Sequence, residues 1–121
     1  MAIKKILVVD DSPTDRLFLT DILTKGGYEV STAESADEAL AKAKKLKPDL
    51  VLMDVVMPGQ NGFQATRALN KDEATKNIPV IIVTSKSQET DKIWGMRQGA
   101  KDYIVKPVDQ AKLLAKIASL R

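Results

Sequence analysis

Short, continuously apolar runs alternate along the chain with stretches whose apolar residues recur every three or four positions. The runs are KKILVVD (4–10), YEVSTA (28–33), DLVLMD (49–54), IPVIIVT (78–84) and KDYIVK (101–106). Consecutive apolar positions predict strands buried on both faces, as in a parallel sheet covered by helices. The run at 28–33 is shorter and more polar, which predicts an edge strand.

The stretches between them carry helix start and stop signals. Ser12 precedes Pro13, an N-cap followed by proline at the first helical position, and Asp15 falls at N3. Leu17, Phe18, Ile22 and Leu23 follow at helical spacing, and Gly26-Gly27 ends the pattern. Ser35-Ala36-Asp37-Glu38 reads as a capping box ahead of Ala39, Leu40, Ala43 and Leu46, with Pro48 as the stop. Phe63, Ala65, Thr66 and Leu69 predict a third helix. Residues 88–98 predict a fourth, closed by Gly99. Asp109 caps a fifth, with Leu113, Leu114, Ile117 and Leu120 facing inward. The sum is (βα)5: an α/β, doubly wound domain of parallel strands joined right-handedly, with helices on both faces. The 121 residues suit one domain over 1–121, without linker or repeat. The fifth helix runs to the end of the sequence, so no output domain is expected.

Composition removes whole classes of chemistry. There is no cysteine, hence no disulfide frame or thiolate metal site, and no histidine, hence no Ser-His-Asp triad, His-ligated zinc or phosphohistidine within the chain. Catalytic roles fall to Asp, Glu, Lys, Ser, Thr or Tyr. A formal charge of +3 is too weak a balance to imply nucleic acid. MAIKKILVVDD lacks a cleavage site, and no run reaches the roughly 18 apolar residues of a membrane span. A cytoplasmic protein without membrane insertion is expected.

In an open parallel sheet, ligands bind beyond the carboxyl ends of the strands. Those ends read Asp10-Asp11, Asp54, Thr84-Ser85 and Lys106-Pro107. Each has an ordinary structural explanation. Acids before a helix favour its dipole, Thr84 suits a strand, and Lys106 suits a solvated strand end. Asp54 is harder to explain so, because it interrupts an apolar run. Taken together, three carboxylates would converge from two strand ends, where like charges resist joint ionisation. A hard divalent cation such as Mg²⁺ relieves that. A lysine and a hydroxyl opposite can bind a phosphoryl group, and a carboxylate can serve as a phosphoryl nucleophile.

The motifs VVDDS (8–12), LMDVVMPGQNG (52–62), VTS (83–85) and DYIVKP (102–107), in that order, resemble those of response-regulator receiver domains over the whole chain. The resemblance implies a flavodoxin-like sheet in the order 2-1-3-4-5. It implies that Asp54 accepts a phosphoryl group from a histidine kinase. Asp11 and Asp54 would ligate Mg²⁺ directly, Asp10 through water and Val56 by its backbone carbonyl. Lys106 and Thr84 would contact the phosphoryl group, Thr84 and Tyr103 would form the switch pair, and Lys106-Pro107 would be cis. Pro58-Gly59 and Asn61-Gly62 fit the loop beside Asp54. Such a protein is a phosphoacceptor that assists its own phosphorylation and dephosphorylation rather than an enzyme. It would act on a downstream protein target or motor regulator, as a monomer or weak dimer.

LMDVVMPGQNGFQATRALNKD (52–72) and PVIIVTSKSQETDKIWGMRQGAKDYIVKPVD (79–109) are similar to the stand-alone, PilH-like receivers of type IV pilus chemosensory systems, which govern twitching motility. That resemblance implies either an output switch or a phosphate sink for a shared kinase. An aspartyl-phosphate hydrolase would normally carry Asp-x-Asp on its first strand, where this chain has adjacent acids. A phosphorylation-independent binding module would not need the full acid, threonine and lysine set. An FMN carrier would need a phosphate loop where Asp10-Asp11 stands.

Lys42, Lys44, Lys45 and Lys47 read as a solvated helix end. Trp94 reads either as core packing or as a partner contact near the face formed by the fourth helix, fifth strand and fifth helix. Val56 and Lys86 border the site; apolar Val56 cannot hydrogen-bond an attacking water.

Overall fold

The computed structural model describes residues 3–57 and 61–120. Elements follow in strict alternation: β1 (Lys5–Val9), α1 (Pro13–Lys25), β2 (Glu29–Ala33), α2 (Ala36–Leu46), β3 (Leu50–Met53), α3 (Gly62–Lys71), β4 (Val80–Thr84), α4 (Glu89–Arg97), β5 (Asp102–Val105) and α5 (Gln110–Ser119). The strands form one five-stranded sheet in the order β2-β1-β3-β4-β5, every pairing parallel. β2 is at an edge, as its polarity predicts.

Alternate residues of each strand serve opposite faces. Leu7, Val9, Val51 and Met53 pack against Ala39, Ala43, Ala65 and Leu69 of α2 and α3. Ile6, Val8, Leu50 and Leu52 pack against Leu19, Ile22 and Leu23 of α1 and Leu113 and Ile117 of α5. The continuous apolar runs of β1, β3 and β4 are explained by this: both faces are covered.

The helix ends follow local chemistry. Ser12 Oγ accepts from Asp15 N–H at 3.3 Å. After α1, Gly27 takes φ 92°, and the Tyr28 and Gly27 N–H groups return to the carbonyls of Leu23 and Thr24. That left-handed position is where glycine avoids a Cβ penalty.

Three expectations need correction, and an open choice, the place of Trp94, is decided. Leu17 and Phe18 are exposed (72% and 50%), because the buried stripe of α1 runs through Leu19, Ile22 and Leu23. Leu46 is exposed at the last turn of α2, which closes at Lys47 with φ 49°. Glu38 does not complete a capping box: Ser35 caps its N–H, but its own carboxylate takes the N–H of Glu34 at 2.6 Å. Trp94 is half-exposed and outside the core.

Asp49 ties the starts of two strands together. Its Oδ2 accepts the N–H groups of Lys4 and Lys5, both at 3.0 Å, and its own N–H donates to the Lys5 carbonyl at 2.8 Å. The Lys5 N–H holds the carboxyl below its usual range, aided by that of Lys4 and only partly offset by burial. A depressed folded-state value means stability present above the unfolded pKa and lost as pH falls through the folded one. Asp49→Ala is therefore expected to lower unfolding free energy by about 1–2 kcal/mol at neutral pH. In urea titrations the gap to the parent should close below about pH 3; a gap independent of pH would refute the assignment.

No helix among the described residues is long and apolar enough to cross a membrane.

Candidate functional site: an acid cluster around Lys106

The backbone ladder continues one residue beyond three strands and aims their last side chains at one point. Asp10 N–H donates to Ala33 O at 3.1 Å, Asp54 N–H to Val9 O at 2.9 Å, and Lys106 N–H to Thr84 O at 2.8 Å. Carboxylate oxygens of Asp10, Asp11 and Asp54 lie within 4.8 Å of one another. Asp10 and Asp54 are buried, at 1% and 6% exposure, while Asp11 is exposed.

Lys106 lies among these acids. Its Nζ donates to Asp10 Oδ2 at 2.7 Å, Asp15 Oδ2 at 2.8 Å and Asp54 Oδ2 at 3.1 Å. The second oxygens of the buried acids take backbone donors: Asp54 Oδ1 accepts from Val56 N–H at 3.0 Å, and Asp10 Oδ1 from Ser12 N–H at 2.9 Å. Arg16 grips the Asp10 carbonyl at 2.7 Å and pairs with Glu34 at 2.9 Å. The Lys106–Pro107 peptide is cis.

Burial pushes the Asp10 carboxyl up, and the charge of Asp54 adds to that; Lys106 and the Ser12 N–H pull the other way without cancelling it. Burial also pulls the Lys106 ammonium down, but hydrogen bonds to Asp10 and Asp15 and the charges of Asp54 and Asp10 outweigh it. Lys106 is held well above its ordinary value and is a fixed cation at any physiological pH.

Thr84 is fully buried at the end of β4, and its Oγ1 accepts a long bond from Lys86 N–H at 3.4 Å. That hydroxyl bonds neither the Asp54 nor the Lys106 side chain. Tyr103 points the other way, its hydroxyl donating to the Lys86 carbonyl at 3.0 Å. Burial, with the charges of Asp91 and Asp54, pushes its phenol up to about 12. Val56 is half-exposed. Pro58 and Gly59 lie outside the described residues, whereas Asn61 caps α3 through its side chain, with Gln64 returning the bond.

Sequence reasoning assigned Asp15 only to a helix start, yet it is the third acid on Lys106. Helical spacing gives no signal for it, because Asp10 and Asp11 precede the N-cap Ser12 and stand outside the helix. Phe18 adds an apolar wall beside it. With Asp15, Leu19, Lys106, Pro107 and Val108 it lines a cavity of about 110 Å³. The lysines of α2 are dispersed: Lys42 pairs with Glu38 at 3.2 Å and Lys44 with Asp72 at 2.9 Å.

Residues 6–118 match the response regulator receiver domain family. The chain is 60% identical to Protein PilH of Pseudomonas aeruginosa over 113 residues, 93% of each chain. It is 40% identical to chemotaxis protein CheY of Thermotoga maritima over 112 residues, 92% of each. Among solved structures, the CheX-CheY-BeF3-Mg+2 complex from Borrelia burgdorferi gives a TM-score of 0.91 at 32% identity, covering 97% of this chain and 88% of that one.

Proposed function

The chain belongs to the response-regulator receiver family, and from that premise we propose that it is a phosphoacceptor switch whose accepting group is Asp54. The observation that carries the reading is the pairing of Asp54 with Lys106 at 3.1 Å inside a cluster of three carboxylates. An unphosphorylated acceptor needs a nearby cation and spare acid ligands, and both are there.

The donor set fits Mg²⁺: hard oxygen ligands, several carboxylates and an open side through the exposed Asp11. Asp11 and Asp54 would hold the ion directly, Asp10 through water, and Val56 by its carbonyl. A bound Mg²⁺ would neutralise charge on the oxygens of a phosphoryl group. The Borrelia relative, solved with BeF3 and Mg+2, supports this assignment.

The remaining steps belong to the chain. An Asp54 oxygen attacks phosphorus; the O–P bond forms, the N–P bond of a kinase phosphohistidine breaks with its electron pair staying on nitrogen, and the imidazole leaves neutral because its other ring nitrogen already carries a proton. Lys106, already oriented by Asp10 and Asp15, meets the new charge. Thr84, whose O–H has no acceptor among the described residues, rotates to the phosphoryl group. Tyr103 then leaves the Lys86 carbonyl and moves inward, biasing an existing equilibrium of the α4–β5–α5 face. Exposed Phe18, beside Asp15 and Lys106, offers the phosphodonor protein an apolar foothold. The likeness to PilH favours a role in type IV pilus signalling and twitching motility.

Incubation with a kinase, or with phosphoramidate and Mg²⁺, should give one acid-labile or hydroxylamine-labile acyl phosphate, prevented by EDTA added beforehand and absent from Asp54→Ala. Undiminished or acid-stable labelling of Asp54→Ala would falsify the assignment.

A further inference from the structure

Trp94 is the chain's single tryptophan and half-exposed. Its neighbour Gly95 faces inward, where a Cβ would meet Ile82 and Tyr103. At about 100° per residue, Trp94 and Gln98 fall on one flank of α4 and Met96 on the other. The Trp94 flank faces α3. There Trp94, Arg97 and Gln98 meet Arg67, Asn70 and Lys71 around a groove of about 490 Å³, within the range of roughly 300–1,000 Å³ usual for small-molecule sites.

Two properties of the groove point to a ligand. No lining residue is acidic, and Arg67, Lys71 and Arg97 form no ion pair with a described residue. Gln98 is only 8% exposed, yet its side-chain amide makes no hydrogen bond to a described residue. Since no enclosed side-chain polar atom among the described residues lacks a partner, that amide is reached from the groove. Its donor and acceptor therefore face the groove and are open to a partner of the same pattern. The wall behind it is fixed. Asn70 Nδ2 donates to the Gln98 carbonyl at 2.7 Å, and Gly99, at φ 104°, leaves no room for a Cβ against Asn70.

We infer that the α3–α4 groove binds a purine nucleotide, with its base on Trp94, its base edge on Gln98 and its phosphates on Arg67, Lys71 and Arg97. An exposed indole offers a stacking platform for a base. A glutamine amide matches the donor–acceptor edge of adenine, and arginine forks suit phosphate oxygens. The groove lies on the C-terminal halves of two helices that run against the strands. It is therefore at the opposite end of the sheet from Asp54. An acidic protein segment would use the cations and the indole but has no need of the groove-facing amide.

The test is titration of the full chain with ATP in EDTA, which keeps Mg²⁺ from bridging nucleotide to the acid cluster. Trp94 fluorescence and calorimetry report binding. The expected result is quenching with a submillimolar dissociation constant, with inorganic triphosphate and adenosine each at least about tenfold weaker. Gln98→Leu should weaken ATP about fivefold or more, and Arg67→Ser/Arg97→Ser, altering two exposed side chains, should abolish binding without changing the circular dichroism. Absence of binding at about 5 mM ATP, equal affinity for triphosphate, or unchanged affinity in these variants overturns the proposal. Displacement of ATP by a lower concentration of polyglutamate also overturns it, and makes the groove a docking site for acidic protein.

Discussion

Lys106→Met is expected to lower the free energy of unfolding by about 3–5 kcal/mol at neutral pH, because it leaves two buried carboxylates without their cation. The side chain is 17% exposed, and the side chains of its partners Asp10 and Asp54 are 1% and 7% exposed. Water cannot readily take over for the ammonium there. Methionine keeps most of the volume, so the loss reads electrostatics rather than a cavity. The partner experiment is Asp10→Asn/Lys106→Met, which removes one of the stranded charges. It should recover about 1–3 kcal/mol of the loss. Urea melts of the four proteins give the cycle directly. A loss under about 1 kcal/mol for the single variant, or no recovery in the double, would show that the lysine does not compensate the acids. Millimolar Mg²⁺ should narrow the deficit if Asp10, Asp11 and Asp54 hold the ion as proposed.

Gly62→Ala should be nearly as damaging, through pure geometry. A Cβ at Gly62 would sit 2.0 Å from the Asp54 carbonyl oxygen and 2.7 Å from the Val55 Cα. Both are backbone atoms of the turn that carries Asp54, so no side chain can move aside. The first turn of α3 is also pinned from within: Thr66 Oγ1 donates to the Gly62 carbonyl at 2.7 Å in a buried setting. Relief requires α3 to lift from the end of β3. The expected loss is about 3 kcal/mol or more, measured by urea unfolding. Phosphoryl acceptance should fall as well, because the displaced backbone is that of Asp54 itself. A variant of parental stability and rate would mean that this close approach is dispensable.

The fold was legible because its signals are local. Two-sided burial produces continuous apolar runs, and Ser12, Ser35, Asp109 and the glycines after α1 and α4 mark helix ends without long-range information. The meeting of Asp10, Asp11, Asp54 and Lys106 was legible one step later, once parallel strands put all their last residues at one end of the sheet. Asp15 was not, because an acid at N3 has a sufficient local explanation, and its contact with Lys106 spans 91 residues. The direction of Trp94 was equally hidden: periodicity places it beside Gly95, but only the inward packing of that glycine on Ile82 and Tyr103 says which flank is which. Leu17 and Phe18 failed for a related reason. Four apolar residues at helical spacing define a broad stripe, and the sheet covers only part of it.

The sharing of one lysine among Asp10, Asp15 and Asp54 has a consequence for synthesis. The ribosome delivers all the acids of the cluster within the first half of the chain and their cation only at position 106. A nascent chain that has already paired β1 with β3 holds these carboxylates together with no ammonium to calm them. Mutual repulsion discourages early closure of that corner, and docking of β5 beside β4 removes the objection. The acid cluster thus gains the ammonium that compensates it only when the segment following the last strand is in place.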